Sequence, residues 1–182
     1  RDGQQLQRHF SGADAVVNMV GILNERGRSG KGFREVHVGT VERALAACRA
    51  AGIRRFIHVS ALNAGEGESH YLKSKGEAEE LVRAAADIDY TIVQPSVIFG
   101  EGDDFFNRFG ALLKMAPVLP LACPGARMQP VWVGDVARVI TLALADAETV
   151  GETLVTVGPE VYTLRELVKF TACVLGLKRK IV

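Results

Sequence analysis

Apolar residues recur along the first hundred positions in two alternating patterns. A near-continuous apolar run from Asp14 to Ile22 is bounded by turn-forming residues, which is typical of a strand buried on both faces. Residues Phe33 to Ala51 instead carry apolar side chains at helical spacing, and Gly52 follows as a C-cap. Residues Arg55 to Leu62 predict a second buried strand. The chain therefore starts with a strand, a helix and a strand, after a short polar helix over residues 1–12.

A further helix and a third strand continue this order. Ser69 is expected to cap a helix that ends near Ala86 and carries Tyr71. Residues Asp89 to Gly100 predict a strand that runs into a loop, and Pro95 ends its regular ladder because proline cannot donate a hydrogen bond. Strands that alternate with helices predict right-handed crossovers and a parallel sheet covered by helices on both faces.

The last third of the chain has a different character. Residues Phe105 to Met115 predict an apolar-aromatic helix, and the segment from Pro117 to Pro124 is irregular. Short strands are expected at Met128 to Val133 and at Glu152 to Val157. We interpret this part, residues 105–182, as a small lobe that closes over the strand ends and shapes a substrate pocket.

Two helix starts are predicted in this part from capping residues. Asp135 lies between a strand and a helix that runs through Ala145, and we expect it to be the N-cap. Thr163-Leu-Arg-Glu166 has the spacing of a capping box, with the threonine at the N-cap and the glutamate at N3. For Asp135 we prefer this structural role to a catalytic one, because capping explains a lone aspartate between a strand and a helix.

Composition excludes several classes of function. A formal net charge of +1 gives no general attraction to nucleic acid or to a membrane surface, and no apolar run is long enough to span a bilayer. Cys48, Cys123 and Cys173 are far apart, and neither they nor the histidines have metal-ligand spacing. We expect reduced, mostly buried thiols in a reducing compartment, and a cytoplasmic protein without a signal peptide.

The strongest candidate for chemistry is Tyr71-Leu-Lys-Ser-Lys75, which puts a phenol and an ammonium one turn apart on one helix face. The ammonium stabilises the phenolate and lowers the tyrosine pKa from about 10 towards neutrality. The phenol can then exchange a proton with a hydroxyl or carbonyl group, and the ammonium can hold a ribose hydroxyl. The alternative is a half-buried tyrosine beside a solvated lysine, because this spacing is common.

The position of this pair favours the chemical role. Ligands of parallel sheets bind at the carboxyl ends of the strands. Gly21, Ser60 and the segment Pro95 to Val97 fall at those ends, and Tyr71 follows one of them. We therefore expect these residues to surround one ligand.

A set of motifs spans most of the chain in order. They are Val36-His-Val38, His58-Val-Ser-Ala-Leu-Asn-Ala64, Tyr71-Leu-Lys-Ser-Lys75, Pro95-Ser-Val-Ile-Phe-Gly100, Gln129-Pro-Val-Trp-Val133 with Asp135-Val136, and Val157-Gly-Pro159. Together they resemble the extended or atypical short-chain dehydrogenases/reductases, which are NAD-dependent epimerase/dehydratase-like proteins. Within these they are most similar to the NAD(P)H-binding accessory subunit family of respiratory complex I and its bacterial relatives.

The resemblance implies an α/β fold, a Rossmann-like doubly wound parallel sheet, with NAD or NADP as cofactor. It also implies that residues 1–104 are a partial dinucleotide-binding domain with which the lobe of residues 105–182 is interleaved. It implies a catalytic role for Tyr71, Lys75 and Ser60 and no metal. The cofactor contacts that it implies are Val20, Gly21, Ser60, Tyr71, Lys75, Gln94, Pro95, Ser96 and Val97. A small-molecule substrate, or a membrane complex as partner, would follow from the same family, with no nucleic acid and no direct membrane insertion.

The sequence departs from the family pattern at three places. The glycine-rich turn that cradles the pyrophosphate is absent, and Gly27, Gly30 and Gly32 lack its spacing, so we expect the 182 residues to belong to a longer protein. Leu62 stands where active members place a Ser or Thr that binds the substrate oxygen. His37 stands where an Asn often supports the proton relay, and it is either a relay residue or a helix histidine bonded to backbone.

Two functions remain open at this point. The first is a non-catalytic or weakly catalytic NAD(P)H-binding module, which Leu62 favours. The second is an active NAD(P)-dependent oxidoreductase, epimerase or dehydratase that uses Tyr71 as general acid or base, which the intact Tyr71/Lys75 pair favours.

Overall fold

The structure is a computed structural model and describes residues 2–25, 27 and 29–182. Arg1, in the predicted polar helix, and Arg26 and Arg28, between the first predicted strand and the helix that follows it, lie outside the described residues. The chain divides into two compact units. The first contains the residues up to Pro95 together with Arg138–Thr156, and the second contains Ser96–Ala137 and Val157–Val182. The assignment of residues 105–182 to a substrate lobe stays a prediction.

The helices and strands follow the predicted order closely. They are α1 (Asp2–Phe10), β1 (Ala15–Asn18), α2 (Lys31–Ala51), β2 (Arg55–Val59), α3 (His70–Ala84), β3 (Asp89–Pro95), β4 (Ile98–Phe99), α4 (Asp104–Met115), β5 (Val118–Leu119), β6 (Arg127–Met128), β7 (Val131–Trp132), α5 (Val133–Ala145), a 3-10 helix (Ala147–Thr149), β8 (Thr153–Thr156), β9 (Tyr162–Thr163), α6 (Leu164–Val174) and β10 (Lys180–Ile181).

The first unit is built on a parallel sheet with the strand order β1-β2-β3-β8. Val17 is in register with Ile57, Ile57 with Thr91, and Val93 with Leu154. The continuous apolar runs of these strands are buried because helices cover both faces, as the sequence predicts for a parallel sheet.

Each face of the sheet has its own apolar core. Alternate side chains point to opposite faces, so Phe56 and Ile92 lie in one cluster with residues of α2 and α3, and Ile57 and Val93 lie in another with residues of α5. Phe10 of α1 packs against the first cluster. The sheet with helices on both faces confirms the predicted fold class.

The second unit has its own core between α4 and α6, which includes Leu113, Leu164 and Val168. Three pairs of two-residue strands accompany it: β4 with β7, β5 with β10, and β6 with β9. The capping box of Thr163 and Glu166 is present at the start of α6, as predicted. Across the described residues, none of the helices is both long and apolar enough to cross a membrane.

Several local predictions are wrong or need adjustment. Asp135 is not the N-cap of α5, because this helix begins at Val133 and the carboxylate lies within its first turn, where it still faces the positive end of the helix dipole. The predicted strand from Met128 to Val133 is split at Pro130, which cannot donate to a ladder. The segment from Pro117 to Pro124 contains β5.

The cysteines are less buried than expected. Cys48 is buried in α2, and burial raises the pKa of its thiol to about 11, but Cys123 and Cys173 are exposed. Cys123 lies in a turn with positive φ, and Cys173 lies on the outer side of α6. All three are free thiols.

Gly76 allows the loop after β2 to lie directly on α3. A Cβ at this position would come within 2.6 Å of the backbone nitrogen of Gly65. Gly65 has φ 81°, and its N–H donates to the carbonyl of Leu72 at 2.9 Å. The loop is thereby fixed against the first turns of α3, which contain Tyr71 and Lys75.

We predict that Gly76→Ala destabilises the protein by about 1–3 kcal/mol, because the added methyl group would overlap the Gly65 backbone. The matched control is Gly39→Ala on α2, where a Cβ meets only the mobile end of Arg43 at 3.1 Å. That change should stabilise by about 0.5–1 kcal/mol through helix propensity. Urea unfolding of both variants checks this, and equal effects would contradict the proposed contact.

Candidate functional site

The candidate site is built on the first turns of α3, at the carboxyl end of β2. The Ser69 hydroxyl caps this helix, as predicted, and accepts a hydrogen bond from the N–H of Leu72 at 3.1 Å. The cap fixes where α3 begins, so Tyr71 lies in its first turn and Lys75 one turn later. The face that α3 turns inward carries Ser74, Lys75 and Glu79, all buried.

Lys75 is a buried cation with a backbone partner. Its side chain is 3% exposed, and its ammonium donates to the carbonyl of Val59, the last residue of β2, at 2.9 Å. Burial lowers the pKa of Lys75 to about 8, although the negative charge of Glu79 opposes this effect. The alternative in which this lysine is a solvated surface residue is therefore wrong.

Tyr71 is half-buried beside two aromatic rings. Its ring makes edge contacts with Phe33 at 6.0 Å and with His37 at 5.5 Å between ring centroids. Burial raises the pKa of Tyr71, which is opposite to the lowering expected from a neighbouring ammonium. The physical reason is that a low-polarity environment favours the neutral phenol, while the ammonium of Lys75 is directed to Val59.

His37 links the segment after β1 to α3. Its side chain is 2% exposed; Nε2 accepts from the N–H of Ile22 at 3.1 Å, and Nδ1 lies 2.8 Å from the Ser74 hydroxyl. Because Nε2 accepts, Nδ1 carries the proton and donates to Ser74, whose hydroxyl donates to the carbonyl of Tyr71 at 2.8 Å. Of the two alternatives, the structure contains the backbone-bonded histidine, and a relay role stays a prediction.

A second buried histidine, His58, lies on β2. The Asn18 side chain accepts from the N–H of Val20 at 3.2 Å, and its amide nitrogen donates to Nδ1 of His58 at 3.1 Å. Nε2 of His58 therefore carries the proton, and within the described part of the chain this atom has no hydrogen-bond partner. Burial is the main cause that lowers the pKa of His37 to about 4 and of His58 to about 3, so both rings are neutral at pH 7.

Ser60 offers a buried hydroxyl at the end of β2. Its backbone N–H donates to the carbonyl of Val93 at 2.7 Å, but its side-chain oxygen has no partner among the residues that the structure describes. Such an atom is unusual, since buried polar groups are almost always paired. Leu62 follows, its N–H donates to the carbonyl of Pro95 at 2.9 Å, and its side chain offers no hydroxyl to a substrate.

Glu79 extends this polar layer along α3. Both carboxylate oxygens accept from the side-chain amide of Gln94, at 2.9 and 3.0 Å, and one accepts from Arg83 at 2.8 Å. Gln94, a predicted cofactor contact, therefore uses its amide nitrogen within the protein. Sequence reasoning singled out neither Glu79 nor the buried Asn18 and Ser74.

The other predicted cofactor contacts lie at or just after the ends of β1 and β3. Val20 and Gly21 follow β1 and are exposed, and Pro95 is buried as the last residue of β3, where the ladder ends as predicted. Ser96 and Val97 are half-buried and fall in the second unit. Their role in binding stays a prediction.

Other parts of the described structure provide no competing site of similar quality. Among the described residues, no group of His, Cys, Asp and Glu could hold a metal ion. A cavity of about 550 Å³ lies within the second unit, lined by residues of α4 and α6 such as Phe106, Lys114 and Phe170. The described residues that line it include none of the predicted site residues, so the buried polar groups, and not this cavity, mark the candidate site.

Comparison with known proteins finds relatives that match most of this chain. A protein-family model described as NAD(P)H-binding matches residues 1–106. A mitochondrial protein of Mus musculus, NADH dehydrogenase (ubiquinone) 1 alpha subcomplex subunit 9, is 37% identical over 174 residues, which cover 93% of this chain and 45% of that protein. Ceramide reductase of Caulobacter vibrioides is 34% identical over 179 residues, which cover 97% of this chain and 55% of that protein.

The fold is shared with enzymes of known structure. A double mutant of dTDP-glucose 4,6-dehydratase from Streptomyces venezuelae, with NAD and DAU bound, superposes with a TM-score of 0.86 at 24% identity and covers 100% of this chain and 64% of that one. This likeness confirms the Rossmann-type fold. The chain spans about half the length of the curated relatives that it matches.

We predict that unfolding at pH 5.5 takes up about two protons, one on His37 and one on His58. Their pKa values rise from about 4 and about 3 in the folded protein towards 6.5 in the unfolded chain. The stability that these two groups contribute is therefore fully present above pH 6.5 and is lost as the pH falls through about 4 for His37 and about 3 for His58. The slope of the unfolding free energy against pH measures this uptake.

Two variants assign the uptake. His37→Gln should remove about one proton from it, whereas His9→Gln, at an exposed position of α1, should leave it unchanged. A slope near zero between pH 5 and 6.5 in the unaltered protein would contradict the neutral histidine pair.

Proposed function

Because this chain belongs to the NAD(P)H-binding family, we propose that it binds NAD or NADP at the carboxyl ends of its parallel strands and has little or no catalytic activity of its own. The binding groups in this proposal are Lys75, Tyr71 and Ser60. The exposed backbone around Gly21 and the end of β3 at Pro95 complete the site within the first unit.

The observation that carries the proposal is the buried ammonium of Lys75. A buried cation costs several kcal/mol unless it is well paired, and here one of its three N–H donors is used by the Val59 carbonyl. The hydroxyl groups of a ribose are neutral acceptors that suit the remaining donors. Ser60 adds a buried hydroxyl that lacks a partner within the described residues.

The residues present fit a dinucleotide cofactor. A planar nicotinamide ring can pack where the ladder ends at Pro95 and backbone groups are available. When bound, a nicotinamide cofactor supplies hydride transfer. The chain's own groups would orient it: Lys75 would hold the ribose, and Tyr71, one turn earlier on α3, has a hydroxyl able to donate a hydrogen bond.

Two features support weak or absent catalysis. Proton transfer at neutral pH is most efficient when the pKa of the acid or base lies near that pH, and burial moves the pKa of Tyr71 further away. Leu62 cannot donate a hydrogen bond to a substrate oxygen. A nucleotide-binding module needs neither a low tyrosine pKa nor this donor.

The assembly and compartment of this protein are part of the same proposal. Because Mus musculus NADH dehydrogenase (ubiquinone) 1 alpha subcomplex subunit 9 is a subunit by name, we propose that this chain serves as a module of a membrane-associated complex. The cysteine pattern is the basis for proposing a reducing compartment such as the cytoplasm, whereas the mouse relative is mitochondrial.

A second candidate function is an active NAD(P)-dependent reductase, epimerase or dehydratase with Tyr71 as general acid or base. The Ser60 hydroxyl favours it, because a buried hydroxyl that lacks a partner in the described structure can take over the donor role that Leu62 lacks. Ceramide reductase and dTDP-glucose 4,6-dehydratase are enzymes by name.

We predict saturable binding of NADH or NADPH to the full-length protein and a loss of about 10-fold or more in affinity for Lys75→Met, since a charge-assisted hydrogen bond contributes about 1.5–3 kcal/mol. Lys73→Met removes the same charge from an exposed position of α3 and should change the affinity less than about twofold. Nucleotide fluorescence measures both. No saturable binding, or equal losses in the two variants, would contradict the proposal.

Tyr71→Phe separates the two candidate functions. A binding module should lose at most about 1 kcal/mol of nucleotide affinity, the contribution of one hydrogen bond. An enzyme should keep this affinity but lose about 100-fold or more in the rate of NAD(P)H oxidation with a carbonyl substrate. Tyr162→Phe, at a surface hydroxyl bonded to Glu160, is the control and should change neither quantity.

A further inference from the structure

One side of α3 carries a row of alternating charges, two of them buried and the last, Arg83, exposed. Lys75, Glu79 and Arg83 follow one another at four-residue spacing, so they lie on one side of the helix. Glu79 is 2% exposed, which is rare for a carboxylate. Nothing in the binding of a nucleotide as described above requires this buried negative charge.

We propose that Glu79 is a positioning residue of the nucleotide site: its carboxylate, held by Gln94 and Arg83, supports the positive charge of Lys75 and sets the pH range in which the site binds a nicotinamide nucleotide. The inference rests on the proposed function, because it assumes that Lys75 is the residue that holds the ribose.

The surroundings of Lys75 supply no other negative charge among the described residues. The groups that interact electrostatically with Lys75 are His37 on α2, His58 on β2 and Glu79 on α3, and Arg83 is bonded to Glu79. Both histidines are neutral, whereas Arg83 is a cation. Glu79 is therefore the group in this set that can stabilise a second cation.

Glu79 acts on Lys75 through its field and not through a hydrogen bond. The hydrogen bonds of its carboxylate go to Gln94 on β3 and to Arg83, and the bond of the Lys75 ammonium goes to Val59 on β2. Four residues along a helix separate the two charges by about one turn, and at this distance in a buried site the attraction stays strong. The amide of Gln94 holds the carboxylate in place without neutralising it.

The consequence is a nucleotide affinity that depends on pH. Burial lowers the pKa of Lys75 to about 8, and Glu79 limits this decrease. The ammonium is present below this pKa and is lost as the pH rises through it, so the affinity should be highest below pH 8 and decline above it. Without the carboxylate, the decline should begin at a lower pH.

Glu79→Gln tests the role of the charge, because the glutamine side chain has the same shape and can still accept from Gln94. Affinity for NADPH is measured from pH 6 to pH 9.5. The midpoint of the decline should fall by about one pH unit relative to the unaltered protein. Glu80→Gln makes the same charge change at the next, exposed position of α3 and should leave the midpoint unchanged.

A conservative variant and a second measurement keep the test decisive. Glu79→Asp retains the charge and should keep the midpoint within about half a pH unit of the unaltered protein. This variant still tests the role of the charge if Glu79→Gln fails to fold. The ¹³Cε chemical shift of Lys75, followed against pH in the protein without nucleotide, gives the titration of the ammonium directly and should move in the same direction.

The outcomes separate the two proposals. If no variant binds a nucleotide at any pH, the proposed function fails, while the Lys75 titration still tests the effect of Glu79. If binding is normal but Glu79→Gln and Glu80→Gln titrate alike by both measurements, the role of Glu79 is overturned and the proposed function stands. A midpoint in Glu79→Asp that is as low as the one in Glu79→Gln would also overturn it.

Discussion

The ammonium of Lys75, buried and bonded to the Val59 carbonyl, is the interaction on which the arrangement at the strand ends depends. Removing a cation from water is costly, so its surroundings must contain few competing positive charges. Burial keeps His37 and His58 neutral, and Glu79 adds a negative charge on the same face of α3. The end of β2 and the first turns of α3 are therefore held together by a polar contact. An apolar contact at this place would offer a ligand no hydrogen-bond donor, whereas the ammonium of Lys75 does.

One face of the sheet divides into an apolar half and a polar half. Val16 and Phe56 belong to the core cluster beneath α2 and α3, whereas Asn18 and His58, two positions further along the same strands, bond to each other. The apolar half supplies the hydrophobic stabilisation. The polar half lies at the carboxyl ends, where ligands of parallel sheets bind. Residues of the apolar core and residues of the polar half therefore follow one another along the same strands. A small shift in strand register would disturb both halves.

The membership of the NAD(P)H-binding family fits this division, but the family alone leaves the balance between binding and catalysis open. A lysine that holds a ribose and a tyrosine that transfers a proton need different environments. Burial suits the first, provided that a carboxylate supports the charge, but burial keeps Tyr71 a neutral phenol. The chain also spans about half the length of relatives such as ceramide reductase, so substrate and assembly belong to proposals about the whole protein.

The sequence by itself determined the order of the main strands and helices, the parallel sheet, the caps at Ser69 and Thr163, and the positions of Tyr71 and Lys75 one turn apart on α3. Hydrophobic period and capping chemistry are local signals, and local signals can be read along a chain. Asp135 shows their limit, because a local cap signal did not reveal where α5 begins. Only the tertiary structure decided that Lys75 turns to the Val59 carbonyl, that His37 joins Ile22 to Ser74, and that Glu79 is buried beside Gln94. These contacts join residues far apart in the sequence, and burial, which sets the pKa values of the site, exists only after the sheet and its helices have packed.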